Sequence, residues 1–198
     1  MSDPTWNIHG KTVLVTGGNT GIGFQTAKKL ASMGAHVTIA CRSTAKGEAA
    51  AQDIVQTLAK EGIETQIEVM ELDLADLNSV DTFASAFKAR HNRLDVLINN
   101  AGIMPMTYNE TKQGHDIVFG TNHLGGFHLT NQMLALLIAS QPARIVNVTS
   151  KLHQSYTFDF ASVNLKQKLG ESYGMLQSLR LYSYSKSANI LHLHHLNS

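Results

Sequence analysis

The chain has 198 residues, 43% of them hydrophobic and 16% charged, with 16 Lys and Arg against 15 Asp and Glu. That length suits one domain with a sizeable core, and a formal net charge of +1 with scattered basic residues excludes the footprint of a nucleic-acid binder. A single cysteine, Cys41, excludes an internal disulfide and fits a reducing compartment.

Met1 to Gly10 lacks the apolar run of a signal peptide. The most continuous apolar stretch, Met133 to Ala139, falls well short of the roughly 20 residues that cross a bilayer. The expectation is a cytoplasmic protein without a transmembrane segment.

In chain order the pattern alternates strand and helix. Lys11 to Thr16 reads as a buried strand, followed by a glycine turn and a helix over Gly21 to Met33, with Gly34 where a C-terminal cap belongs. His36 to Cys41 is a second strand, and Ser43 caps a helix running to about Lys60. Ile67 to Leu72 and Asp95 to Asn99 are the third and fourth strands, separated by a helix over Asn78 to Arg90. One long helix covers Asp116 to Ala139, Arg144 to Thr149 is a fifth strand, Ser155 to Leu181 reads as irregular, and Tyr182 to Leu196 is helical. Such alternation predicts an α/β fold, a Rossmann-type doubly wound parallel sheet in one domain over residues 1–198. Ligands of these sheets sit at the carboxyl ends of the strands.

The residues suited to chemistry fall at those ends. Thr16-Gly17-Gly18-Asn19-Thr20-Gly21-Ile22-Gly23 follows the first strand and opens a helix, where glycines let the backbone approach a pyrophosphate. A glycine turn also serves as a plain connection; its place in a βαβ unit favours the phosphate role. The second strand ends in Arg42, 19 residues past Gly23, where an NAD enzyme places an acid; arginine suits a 2′-phosphate and so NADP(H), against the alternative of a solvated strand-end residue. Asp73 follows the third strand and Asn99-Asn100-Ala101-Gly102 the fourth, and each doubles as an ordinary turn residue.

Tyr182 and Lys186 stand four apart on one helical face, whereas Tyr184 projects elsewhere. A phenol holds its proton too tightly at neutral pH, and a neighbouring ammonium stabilises the phenolate. The plain alternative is a packing aromatic beside a surface lysine. Ser150, ending the fifth strand, is placed to bond a substrate carbonyl or simply to shape a turn. Asn122 lies in a helix, where Asn is a mediocre former, so it has either a specific hydrogen-bonding task or a solvated face. His192, His194 and His195 find no Cys or carboxylate to complete a metal set and read as a partly solvated helix end, with no metal.

Taken together, these residues closely resemble the short-chain dehydrogenase/reductase family over essentially the whole chain. Thr16 to Gly23 is similar to its cofactor turn, Asn99 to Gly102 to its strand-four motif, and Tyr182 to Lys186 to its Tyr-x-x-x-Lys. Ala40-Cys41-Arg42, Thr121 to Gly125, Arg144 to Ser150, Ser185 to Leu191 and the segment containing Phe158-Asp159-Phe160 resemble the retinol dehydrogenase and WW-domain oxidoreductase group.

The resemblance implies an NADP(H)-dependent oxidoreductase that interconverts a carbonyl and an alcohol on a small, apolar substrate. Tyr182 would be the acid/base, Lys186 would lower its pKa and hold the nicotinamide ribose, Ser150 would orient the substrate oxygen, and Asn122 would support a proton relay. Gly17, Gly21, Ile22 and Gly23 would line the pyrophosphate with Asn19 and Thr20 alongside, Asp73 the adenine, and Asn99 to Gly102 (Asn99, Ala101 and Gly102 foremost) the adenosine side. Helical faces around Asn122 to Leu137 and Tyr182 to Leu193 would suit a homo-oligomer. Gly126 departs from a position where the group often has His. The chain stops at Ser198, inside its last helix, so the expected Rossmann unit is C-terminally incomplete and carries no N-terminal anchor. The alternative is a truncated, catalytically inactive module that binds NADP(H) or a protein.

Overall fold

The computed structural model describes residues 7–157 and 174–196. Five parallel strands form the sheet: β1 (Thr12–Thr16), β2 (His36–Cys41), β3 (Ile67–Glu71), β4 (Val96–Asn99) and β5 (Arg144–Asn147), in the order β3-β2-β1-β4-β5. Helices α1 (Gly21–Ser32), α2 (Thr44–Lys60), α3 (Leu77–Arg90), α4 (Ile117–Phe119) and α5 (Gly125–Ala139) fill the connections, and α6 (Met175–Leu196) follows β5. This is the Rossmann-type doubly wound sheet expected from the alternation of the sequence. Its order reverses between β1 and β4, so the topological switch point lies where those two strands end.

Strand alternation builds the two layers. Leu14 points with Leu97 toward Phe83, Phe87, Leu129 and Met133 of α3 and α5. Val13 and Val15 point the other way, with Ile39 and Ile98, toward Ala27, Ile54 and Leu58 of α1 and α2. Both faces are therefore dry, which is why the centre of β1 is a continuous apolar run, Val13-Leu14-Val15, rather than alternating. Each such fully buried Leu, Ile or Val contributes about 1.5–3 kcal/mol. A third cluster joins Val118 and Phe119 of α4 to Leu181, Tyr184 and Ala188, and seats α6 on the rest of the molecule.

Three elements differ from the sequence pattern. The long helix expected from Asp116 is broken by a π turn over Gly120–Leu124, after Asp116 has capped its start by accepting the Val118 and Phe119 N–H groups. Asn122 thus lies in a widened turn, not in regular helix. The last helix starts at Met175 rather than Tyr182, because Ser178 and Leu181 are buried and its first turns pack on α4. β5 ends at Asn147: the Val148 N–H still reaches the Asn99 carbonyl, but the Val148 carbonyl is taken by Lys186. Phe158-Asp159-Phe160 lies outside the described residues.

Asp95 anchors the opposite, amino-terminal edge of the sheet. Its carboxylate, fully buried, accepts the Thr12 N–H at 2.8 Å and the Arg93 guanidinium, with Lys11 Nζ at 3.4 Å. Its backbone pairs with Thr12 on one side and Arg144 on the other. Burial pushes its pKa up, but Arg93, the Thr12 amide and Lys11 together outweigh that and hold it below the ordinary carboxylate range. Asp95→Ala is expected to cost about 2–4 kcal/mol, because the Thr12 amide loses its buried acceptor. A folded pKa below the unfolded value of about 3.9 means that this contribution is present above that pH and is lost as pH falls through the folded pKa. In urea titrations, the deficit of Asp95→Asn against the wild type should therefore shrink as pH drops below about 4.

Candidate functional site

The carboxyl ends of β1, β2, β3 and β4 surround a cleft of about 490 Å³. Its floor is set by a staple between β1 and β4. The fully buried Thr16 hydroxyl accepts the N–H groups of Asn100 at 3.0 Å and Ala101 at 3.1 Å, while Asn100 Nδ2 donates to the Thr16 carbonyl at 2.9 Å. The glycine turn folds over this staple. Gly17 has φ +64°, and a Cβ there would lie 3.0 Å from Ala101 Cα; a Cβ on Gly23 would run into the Gly17 carbonyl and the Asn100 carboxamide. Only glycine allows the turn to lie this close to β4.

Above the turn, the N-terminus of α1 opens on the cleft. Thr20 makes no side-chain cap and the first turn holds no acid, whereas α2 and α3 are capped by Ser43 and Asp76. The free N–H groups and helix dipole at that end favour an anion. Gly17, Asn19, Thr20, Ile22 and Gly23 line this part, and Gly21, with φ +55°, lies beside it on the open side. The donor set and the close-fitting backbone suit the pyrophosphate of a dinucleotide.

At one end of the cleft stands Arg42, exposed and with no ion pair among the described residues, with Lys46 in the first turn of α2. Asp73 lines the cleft wall, where its Oδ1 accepts the Ala75 N–H at 2.9 Å and so also shapes its own turn. Asn99 turns away from the cleft: its Nδ2 donates to Thr130 Oγ1 and Asn147 Oδ1. Ala101 and Gly102 do line it.

Gly102 joins the cleft to the second group of residues. A Cβ on Gly102 would sit 3.4 Å from Asn122 Oδ1 and 3.6 Å from Lys186 Nζ. Asn122 is buried in the π turn and clamps Ile103, accepting its N–H at 2.7 Å and donating to its carbonyl at 2.9 Å. Lys186, only 3% exposed, donates to the Val148 carbonyl at 2.8 Å, and no carboxylate pairs with it among the described residues. Desolvation lowers its pKa. Its Nζ lies 5.4 Å from the centre of the Tyr182 ring. Tyr184 instead is buried core, with its hydroxyl accepting from Arg180 Nε at 2.8 Å.

Ser150 is held against α6 by its neighbours. Ser183 Oγ donates to the Leu152 carbonyl at 2.6 Å, Ser187 Oγ to that of His153, and Thr149 Oγ1 to that of Lys186. Its own hydroxyl accepts the Leu152 N–H at 3.2 Å, which caps a 3-10 turn over Lys151–Gln154. His192 packs against Phe127 and His123, and among the described residues no three His, Cys, Asp or Glu form a group able to hold a metal.

The sequence pattern assigns no role to Lys46 or Asn189, and it places Asn100 at the end of β4 without its bonds to Thr16. Lys46 was open to discovery, since it stands one helical turn beyond Arg42. Asn189, like Asn122, falls in a stretch that the sequence pattern reads as helix, and it shares the face of Lys186. What no local signal shows is the task of Asn100 in joining β1 to β4.

A family model for short chain dehydrogenase matches residues 11–162. Retinol dehydrogenase 14 of Mus musculus is 44% identical over 190 residues, covering 93% of this chain and 55% of the relative. The chain thus spans about half the length of the curated relatives it matches. An uncharacterized protein from Mycobacterium paratuberculosis superposes with TM-score 0.77 at 39% identity, over 96% of this chain and 62% of that one. A metagenomic short-chain oxidoreductase solved in complex with NADP superposes with TM-score 0.73 at 24% identity, over 96% and 76%, a likeness of fold.

Lys186 is a buried cation with no counter-ion among the described residues, which makes it a stability burden. Lys186→Met is expected to raise stability at neutral pH by about 0.5–2 kcal/mol. Because the folded pKa of Lys186 is depressed, the wild type regains stability as pH rises through that value toward the unfolded value of about 10.4. Paired thermal melts between pH 7 and 10 should show the variant's advantage shrinking; a variant less stable than wild type at pH 7 would contradict this.

Proposed function

The chain belongs to the short-chain dehydrogenase family, and from that premise we propose that it is an NADP(H)-dependent oxidoreductase interconverting a carbonyl and an alcohol, with Tyr182 as the acid/base. The observation that carries this reading is Lys186, a desolvated ammonium placed beside the Tyr182 ring and against Gly102 at the wall of the cleft.

When bound, the nicotinamide cofactor supplies or accepts the hydride. The protein's part is to bind, orient and move the proton. In the reductive direction the Tyr182 hydroxyl gives its proton to the substrate oxygen, and the Lys186 charge stabilises the phenolate left behind. That stabilisation is strengthened by the low dielectric around Lys186. Ser150 Oγ accepts the Leu152 N–H on one lone pair, and its O–H is the group that would donate to the substrate oxygen. Asn122 holds the Ile103 backbone that continues the cleft wall past Gly102.

Two features favour NADP(H) over NAD(H). Arg42 occupies the position of the usual ribose-binding acid, and Lys46 adds a second cation at the same end of the cleft. Planar guanidinium contacts suit the additional phosphate. For the substrate, Met104 and Met106 after β4 and Met175 and Leu176 at the start of α6 are all exposed, and the two segments are joined by Ser178 Oγ donating to the Pro105 carbonyl at 2.6 Å. These exposed apolar side chains, on the segment that follows Gly102 and on the helix that carries Tyr182, support an apolar carbonyl or alcohol, a class that includes the retinol in the name of the mouse relative. Exposed Phe127, Ile190 and Leu191 on α5 and α6 support a homo-oligomer through those helices.

Tyr182→Phe is expected to abolish carbonyl reduction and leave NADPH affinity within about twofold, since the hydroxyl serves proton transfer rather than binding. Retained turnover would remove Tyr182 from the mechanism. Arg42→Leu combined with Lys46→Leu should weaken NADPH binding by about 10- to 100-fold, as loss of charge-assisted bonds implies. NADH affinity, measured by fluorescence titration on the same preparation, should hold or improve; an equal loss for both cofactors would contradict the 2′-phosphate assignment.

A further inference from the structure

Beyond the four residues of the proposed reaction, α6 turns one more polar side chain inward. Tyr182, Lys186 and Asn189 form one stripe of that helix, and Asn189 is 6% exposed. Its Nδ2 donates to the Asn122 carbonyl at 3.0 Å, and its Oδ1 meets His123 Nδ1 at 2.9 Å. One carboxamide therefore grips two successive residues of the π turn. From the other side, Asn147 Nδ2 of β5 donates to the Asn189 carbonyl at 3.2 Å, and Asn147 Oδ1 accepts from Asn99 Nδ2 at 2.8 Å. The chain of bonds runs from the end of β4 through β5 and α6 to Asn122.

The orientation of the Asn189 amide follows from its partners. A carbonyl oxygen only accepts, so the NH2 must face Asn122, and the Oδ1 must face His123. His123 then carries its proton on Nδ1. Burial lowers the pKa of His123, so the ring is neutral and its Nδ1–H form is the one the site selects.

We infer that Asn189 is a positioning residue for Asn122: by holding the Asn122 carbonyl from α6, it keeps the Asn122 carboxamide on Ile103 and in register with Lys186 at Gly102. This inference rests on the proposed function for its kinetic consequence, and on geometry alone for its structural one. A π turn is wider and less regular than an α turn, and the Asn189 amide gives its Asn122 carbonyl a fixed donor from another element. Asn189 and Lys186 lie one turn apart on the same helix, so the bond that places Asn122 also sets its distance from Lys186.

The test uses the full chain with Asn189→Asp, which keeps the size and the acceptor toward His123 but removes the donor toward Asn122, and with His123→Phe, which keeps the ring and removes its Nδ1. In Asn189→Asp, amide exchange at Ile103 should accelerate by about tenfold or more while Val15 in β1 is unchanged, because only the Asn122 clamp is released. The kcat for carbonyl reduction should fall about 10- to 100-fold with NADPH affinity within about threefold of wild type, the signature of misplacement rather than lost binding. His123→Phe should change kcat by less than about threefold. Unaltered exchange at Ile103, or a loss shared equally between kcat and NADPH affinity, would overturn the inference. Should Asn189→Asp fail to fold, nitrogen-15 spectra of the wild type decide: protonation of His123 on Nδ1 supports the bonding and protonation on Nε2 overturns it. A wild type that turns over no carbonyl counts against the proposed function, and the exchange and tautomer readouts still judge Asn189.

Discussion

The cleft depends on the hydrogen-bonded staple between Thr16 and Asn100. It joins the ends of the two strands between which the sheet order reverses, and both walls of the site start from it. Because the Thr16 hydroxyl takes two backbone N–H groups from the segment after β4, that segment runs across the base of the glycine turn rather than away from it. Gly17 and Gly23 are then required by contact with Ala101 and Asn100, not only by turn geometry. The uncapped start of α1 is left facing the space above.

From Gly102 the wall passes to a different kind of chemistry. The phosphate side is made of backbone N–H groups, whereas the far side is made of buried side chains that cost stability to hold. Lys186 is kept in place by the Val148 carbonyl and by packing, without a counter-charge among the described residues. Asn122 sits in a π turn rather than a regular helix. Departures from regular structure of this kind cluster at functional sites, because a better-packed alternative would leave no group free to act.

Much of this was legible in the sequence. The five strands and the helices between them follow from hydrophobic period and caps, and β2 matches its expected bounds at both ends. The glycine turn, Arg42 and the Tyr182–Lys186 pair were visible because each depends on spacing along one element. Tyr184 could be set aside in favour of Tyr182 on helical geometry alone, and it proves to be buried core. What stayed hidden depends on contacts between elements. The π turn arises where Asn122 reaches Ile103, 19 residues away, and the early start of α6 reflects burial against α4. Asn99 looks equivalent to its neighbours in sequence, yet its side chain serves the sheet and α5 instead of the cleft. Such pairings are set by the fold and leave no local pattern.

The central claim is that the cleft and the Tyr182 face work together in hydride transfer to a carbonyl. The most direct test incubates the chain with an apolar aldehyde or ketone and NADPH carrying deuterium at its hydride-donating carbon, and examines the product by mass spectrometry. The account predicts one deuterium on the carbinol carbon of the alcohol, with the hydroxyl proton drawn from the protein and solvent. NADPH bound with its deuterium retained and the carbonyl unchanged would contradict it.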